Sequence, residues 1–149
     1  MLRDIIKQEK QRIVNGITYS FDLTRGKWLS IGRCYISYAI NHKNVHSSRW
    51  LAISGGICTN NIGFKTPEYN SGILAVATIQ TKNITSCSFI IVENNDETGI
   101  AILQLNNESE KTINLNTDIQ SGAVLKCFVE TNGNSVDYPF VVLECATRL

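Results

Sequence analysis

At 149 residues the chain has the length of one ordinary domain, enough to bury a single core. It is 43% hydrophobic but only 18% charged, against about 25% in an average soluble protein, so Asn, Thr and Ser must form much of the surface. A formal charge of +1 supplies no field to attract nucleic acid or acidic lipid, and no apolar run approaches the roughly 20 residues of a membrane-crossing helix.

Met1 to Lys10 interleaves Leu2, Ile5 and Ile6 with Arg3, Asp4, Lys7 and Glu9. An export signal needs a charged start followed by an apolar run, so a soluble protein that stays where it is made is expected. Leu2, Ile5, Ile6 and Ile13 fall near one face at helical spacing, which predicts a short helix over Leu2 to Ile13. Alone in water a helix of this length is marginal. Residues 1–14 are therefore expected to be an arm that docks on its own domain or on a partner, or else frays.

Asn15-Gly16 is a strong two-residue hairpin signal between Ile13-Val14 and the alternating Ile17 to Phe21. From there the period is two. Strand-like runs follow at Lys27 to Ile40, Arg49 to Ser54, Ile73 to Gln80, Ser86 to Glu93, Ile100 to Leu105, Thr112 to Leu115, Ala123 to Glu130 and Tyr138 to Cys145. Turn signals separate them at Gly55-Gly56, Tyr69 to Gly72, Asn94 to Glu97, Asn106-Asn107, Ser121-Gly122 and Asn132 to Asn134, and Gly55 to Gly72 reads as one long connection.

In the Ile73 run, Ile73, Ala75, Ala77 and Ile79 share one face and Thr78 and Gln80 the other. Cys87 to Glu93 is apolar on both faces near its middle, so cover on two sides is expected, with a second subunit as one candidate cover. No internal repeat or linker divides the chain. The predicted fold is all-β: a jelly-roll-like antiparallel β-sandwich over residues 15–149, preceded by a short helical arm over 1–14.

No residue is assigned to catalysis, to a cofactor or to a metal. His42 and His46 stand four apart, a spacing that could hold zinc on a helix, but Asn41, Asn44, Ser47 and Ser48 make the segment a polar loop with no third ligand in view. Cys34, Cys58, Cys87, Cys127 and Cys145 lack C-x-x-C spacing and are expected as reduced thiols, those within strand runs as buried hydrophobes. No G-x-S-x-G elbow occurs.

The carboxylates Glu68, Glu93, Asp96, Glu97, Asp118, Asp137 and Glu144 leave a hydrolytic pair open, although most sit beside turns or strand ends where solvation explains them. Asn94 to Glu97 offers oxygen ligands without the spacing of a calcium loop. The sequons at Asn83 and Asn107 are expected by chance in so Asn-rich a chain. Trp50 and Tyr69 are candidates for stacking on a sugar, with core packing as the commoner role for such aromatics.

Several segments in order resemble a β-sandwich domain of tailed-phage virion proteins, found in head fibres, capsid auxiliary proteins and tail-fibre tips. They are Lys27 to Arg33, Gly55-Gly56-Ile57 through Gly63 to Pro67, Ile73 to Gln80, Phe89 to Asn94, Thr112 to Asn116 with Ser121-Gly122 and Leu125 to Cys127, and Asp137 to Pro139 with Val141 to Glu144. The resemblance spans nearly everything after the arm. It implies a non-enzymatic structural protein made in the host cytoplasm and displayed on the virion as a homo-oligomer, often a trimer, and it carries over no functional residue. A small chain without a shaft, collagen-like repeat or coiled coil is closer to a capsid auxiliary protein or head-fibre component, the arm contacting other virion proteins. The alternative is a glycan-binding or receptor-binding module of a tail fibre.

Overall fold

The computed structural model describes residues 11–53, 63–66, 71–96 and 98–149. Among them there is no helix, and the strands form two antiparallel sheets. The smaller contains β1 (Gln11–Val14), β2 (Ile17–Asp22) and β3 (Lys27–Ser30). Asn15 and Gly16 join β1 to β2 with φ of 51° and 78°, the pair of positive angles that a type I′ turn requires.

That hairpin also corrects the expected helical arm. Gln11, Arg12 and Ile13 are extended and paired with Ser20, Tyr19 and Thr18, while the earlier part of the expected helix lies outside the described residues. The turn needs a strand on each side, and the β-branched pair Ile13-Val14 supplies it better than it supplies a helix.

The larger sheet is organised by one long hairpin, β8 (Gly72–Glu93) with β9 (Ala101–Ile119). The runs expected as separate strands at Ile73 to Gln80 and Ser86 to Glu93 are two halves of β8. Likewise Asn106-Asn107, expected as a turn, lies inside β9, where Asn107 takes a φ of 54° at a register shift.

The two halves belong to different layers. Gly72 to Gln80 pairs with β11 (Phe140–Thr147), which pairs with β4 (Cys34–Ala39) and through it β6 (Ala52–Ile53). Ser88 to Glu93 pairs with β10 (Val124–Glu130), which carries β5 (Arg49–Trp50) and β7 (Phe64–Lys65). Inward side chains from both layers meet in one core that includes Tyr38, Ile79, Phe89, Ile91, Leu125 and Leu143, all fully buried. The Tyr38 hydroxyl spans the layers and donates to the Leu125 carbonyl at 2.8 Å, so the one polar atom of that ring is satisfied.

The bend between the halves is held by the segment before β11. Asn83 Nδ2 and Thr85 Oγ1 donate to the Ser135 carbonyl at 2.8 and 3.1 Å, the Asp137 amide donates to Asn83 Oδ1 at 2.9 Å, and the Lys82 amide donates to the Asp137 carbonyl at 2.8 Å. These bonds replace the ladder lost where the register slips between Gln80 and Cys87. Both ends of the Asn83 amide are thereby used inside the fold, which gives the sequon at Asn83 a structural role.

A bulge between Leu74 and Val76 breaks the expected single face of the Ile73 run. Leu74 turns inward with Ala77 and Ile79, while Ile73 faces the other way and packs with Leu29 of β3 and Ala146 of β11 in a second small cluster. The small sheet docks there. The Leu149 amide donates to the Trp28 carbonyl at 3.1 Å and the Thr147 amide to Ser30 Oγ at 3.0 Å.

Arg25, in the β2–β3 turn, completes the joint. Its Nη2 donates to the Ala75 carbonyl at 2.6 Å, its Nε to the Leu115 carbonyl at 2.7 Å and its Nη1 to Asp22 Oδ2 at 2.7 Å. Asp118 receives Lys27 Nζ at 3.0 Å and Arg148 Nη1 at 2.7 Å on one oxygen.

Both carboxylates are held below the usual range. Burial pushes Asp22 up, but the hydrogen bonds and charge of Arg25 outweigh it; at Asp118 the same contest is won by Arg148 and Lys27. A carboxylate whose folded value is lowered adds stability above its unfolded value, about 3.9, and that stability is lost as the pH falls through the folded value. Amide-exchange protection in β1 to β3, corrected for intrinsic rates, is therefore expected to fall below about pH 4 while the β8–β10 ladder keeps its own. Equal loss in both regions would mean that these contacts do not hold the small sheet.

Candidate functional site: two outward-facing surfaces

The first surface is the small sheet. Every residue of β1 is exposed, and β1 ends its sheet, so one side of its backbone is unpaired among the described residues. Around it stand Ile13 (75% exposed), Leu23 (80%), Ile31 and Phe21. Phe21 lies directly opposite Trp28 with ring centroids 5.4 Å apart, and the Arg12 guanidinium sits 4.3 Å from the Trp28 centroid. An edge strand presents a row of backbone donors and acceptors, and here it is flanked by apolar side chains, the combination that favours addition of another chain.

The second surface is the outer face of the layer that β10 shares with Ser88 to Glu93 of β8. Trp50, Phe128, Ile90 and Ile102 come from β5, β10, β8 and β9 and lie opposite one another in register, forming one apolar row across four strands. At its β9 end Ile102 is 59% exposed. This is the two-sided apolar character expected of Cys87 to Glu93. Phe89 and Ile91 face the core, whereas Ile90 and Val92 face outward.

Part of that outer face is covered from within the chain. Lys126, opposite Val92, is buried, and a Cβ on Gly63 would overlap the Lys126 Cγ and the Leu125 carbonyl, so only glycine lets the backbone pass there. The ammonium of Lys126 lies 5.6 Å from the centroid of the Trp50 ring, and Phe128 meets that ring edge-on at 5.2 Å. Trp50 is thus half-buried and already packed, in a way a free sugar-stacking platform is not. Tyr69, its companion in that reading, lies outside the described residues.

The titratable groups singled out from the sequence are dispersed. His42 and His46 are exposed on the β4–β5 loop, where their carbonyls accept the Tyr138 amide and the Thr131 hydroxyl. Glu93 accepts the Gln120 amide, Asp96 accepts the Thr98 amide and hydroxyl, Asp137 accepts the Asn44 amide, and Glu144 accepts the Tyr35 hydroxyl. Glu68, Glu97 and Cys58 lie outside the described residues. Among those described, no three His, Cys, Asp or Glu side chains gather as a metal cluster. Cys87 and Cys127 are core residues, and burial pushes the Cys87 thiol up to about 11.

A cleft of about 250 Å³ opens at the end of the sandwich beside β4 and β11, with Cys34, Cys145, Phe64, Ile119 and Gln120 in its wall. Sequence reasoning had no means of finding this cleft, the apolar row or the Arg25 joint. Each depends on which strand lies beside which.

No protein-family model matches the chain. No curated protein matches it in sequence. Among solved structures it is similar to the coat protein dimer of Tobacco streak virus, at 13% identity over 78% of this chain and 86% of that one, with a TM-score of 0.31. At that score the likeness assigns neither fold nor function.

Proposed function

We propose that this chain is a non-enzymatic virion structural protein, a bacteriophage capsid auxiliary or head-fibre component, which assembles as a homo-oligomer and contacts other virion proteins through its N-terminal sheet and the residues before it. The observation that carries the reading is the exposed β1, whose outer edge has no partner among the described residues, with Ile13 and Leu23 beside it. An open edge lined with exposed apolar side chains is a liability to a monomer, whereas an assembling chain can extend its sheet across it. The ordered resemblance to phage sandwich domains supports the same reading, with the body of the sandwich displayed outward. Against the glycan-binding alternative stands Trp50, whose ring is occupied by Phe128 and Lys126.

Light scattering on the purified full chain tests this directly. An oligomer, a trimer on the phage reading, is expected, and Ile13→Lys on the exposed edge is expected to shift the mass toward monomer with the melting temperature of the monomeric unit nearly unchanged. A wild-type chain that stays monomeric up to high concentration, and a chain lacking residues 1–14 that enters particles as well as the intact one, would together overturn it.

A further inference from the structure

Along the β4–β11 ladder the inward-facing pairs run Val141 with Tyr38, then Leu143 with Ile36, then Cys145 with Cys34. The first two pairs are buried core; the last stands at the mouth of the cleft, with Cys34 exposed and Cys145 nearly covered. Directly opposed residues of an antiparallel ladder have Cα atoms about 4.5–5.5 Å apart and side chains on the same face, within the range that a disulfide spans. Neither of the other described cysteines has this arrangement, since Cys87 faces Leu105 and Cys127 faces Ile91.

We infer that Cys34 and Cys145 are a modification site: a dithiol that a peroxide-class oxidant converts into a cross-strand disulfide, stapling β4 to β11 beside the cleft. In the first step the exposed Cys34 thiolate attacks the peroxide, the O–O bond breaks, and Cys34 becomes a sulfenic acid with loss of water or hydroxide. In the second, the Cys145 sulfur attacks the Cys34 sulfur, the S–O bond breaks, and the Cys145 proton leaves with the departing oxygen as water. Two thiols lose two electrons and one peroxide gains them.

The order of events follows from exposure. Burial pushes the Cys145 thiol up to about 12, with the negative charges of Cys34 and Glu144 adding to the effect, so Cys145 does not meet the oxidant first. Once Cys34 is a neutral sulfenic acid, its share of that opposition disappears and Cys145 is already in place. The bond ties two strands far apart in sequence, the case in which a cross-link restricts the unfolded chain most.

The test uses the full chain treated with hydrogen peroxide, quenched, unfolded and alkylated, with intact mass counting the remaining thiols. The wild type is expected to keep three of its five alkylatable cysteines, while Cys34→Ser and Cys145→Ser each keep all four of theirs. Trypsin leaves Cys127 and Cys145 on one peptide, so additional cleavage after Glu130 and Glu144 assigns the bond. Oxidation is expected to raise the melting temperature of the wild type by roughly 5–15 °C and that of Cys34→Ser not at all. Five alkylated cysteines, a bond from Cys34 to Cys58, or Cys34 driven to sulfinic acid without a bond would each overturn the inference. Because Cys34 is exposed, its serine variant leaves the fold intact and keeps the comparison valid.

Discussion

Replacing Phe89 with alanine is expected to lower stability by about 3–5 kcal/mol and the melting temperature by roughly 6–20 °C. Phe89 is fully buried in the second half of β8, opposite Val129 of β10 and Leu103 of β9, themselves buried. Three strands of inward side chains close around its ring, so little can collapse into the space that truncation would leave. Calorimetry or thermal circular dichroism reads the shift. A loss of only two or three degrees would mean that the two layers do not share a continuous core at this point.

Arg25→Ala is expected to cost on the order of 2–4 kcal/mol, and the loss should be local. The guanidinium is largely shielded from solvent, and its removal strands the Ala75 and Leu115 carbonyls and Asp22 Oδ2 together, although Asp22 Oδ1 keeps the residue 25 amide. The Ala75 carbonyl matters most. It stands at the β8 bulge, where Arg25 from fifty residues earlier supplies its donor. Amide exchange is expected to rise throughout β1 to β3 and little in β10. Arg25→Lys should rescue little, because one ammonium cannot reproduce a planar fork aimed at three acceptors. Uniformly increased exchange across both sheets would show that the small sheet is no separate unit.

How much of this could be read from the sequence depended on how far each determinant reaches. Asn15-Gly16 and Asn132-Gly133 demand their turns through their own backbones, and both are tight turns with the expected positive φ angles. Phe89, Ile91, Leu143 and their neighbours announce buried strands by lying in short continuous apolar runs. Over Gln11 to Ile13 the expected helix gave way to a strand because the adjacent turn imposed pairing.

The continuity of β8 was hidden for a different reason. Thr81 to Thr85 is polar and reads as a break, yet Ser135 and Asp137, some fifty residues on, supply the partners that keep it extended. The bulge at Ala75, the apolar row from Trp50 to Ile102 and the opposition of Cys34 to Cys145 are likewise properties of register. Register is fixed by the whole sheet, and no single segment contains it.

Because β8 and β9 run through both layers, the sandwich has no halves that could come apart. A layer that lost its partner would also lose part of two strands, so parting the two layers is costly and they should unfold together, whatever the small sheet does. The same arrangement sets an order of assembly during synthesis. The β8–β9 hairpin closes over a short connection and can form as soon as it is made, but β4, produced earlier, has only the two-residue β6 to pair with until β11 follows much later in the sequence. Until β11 is made, only the Tyr38 end of β4 has a strand beside it, in β6, and the Ile36 end carries its future core face uncovered.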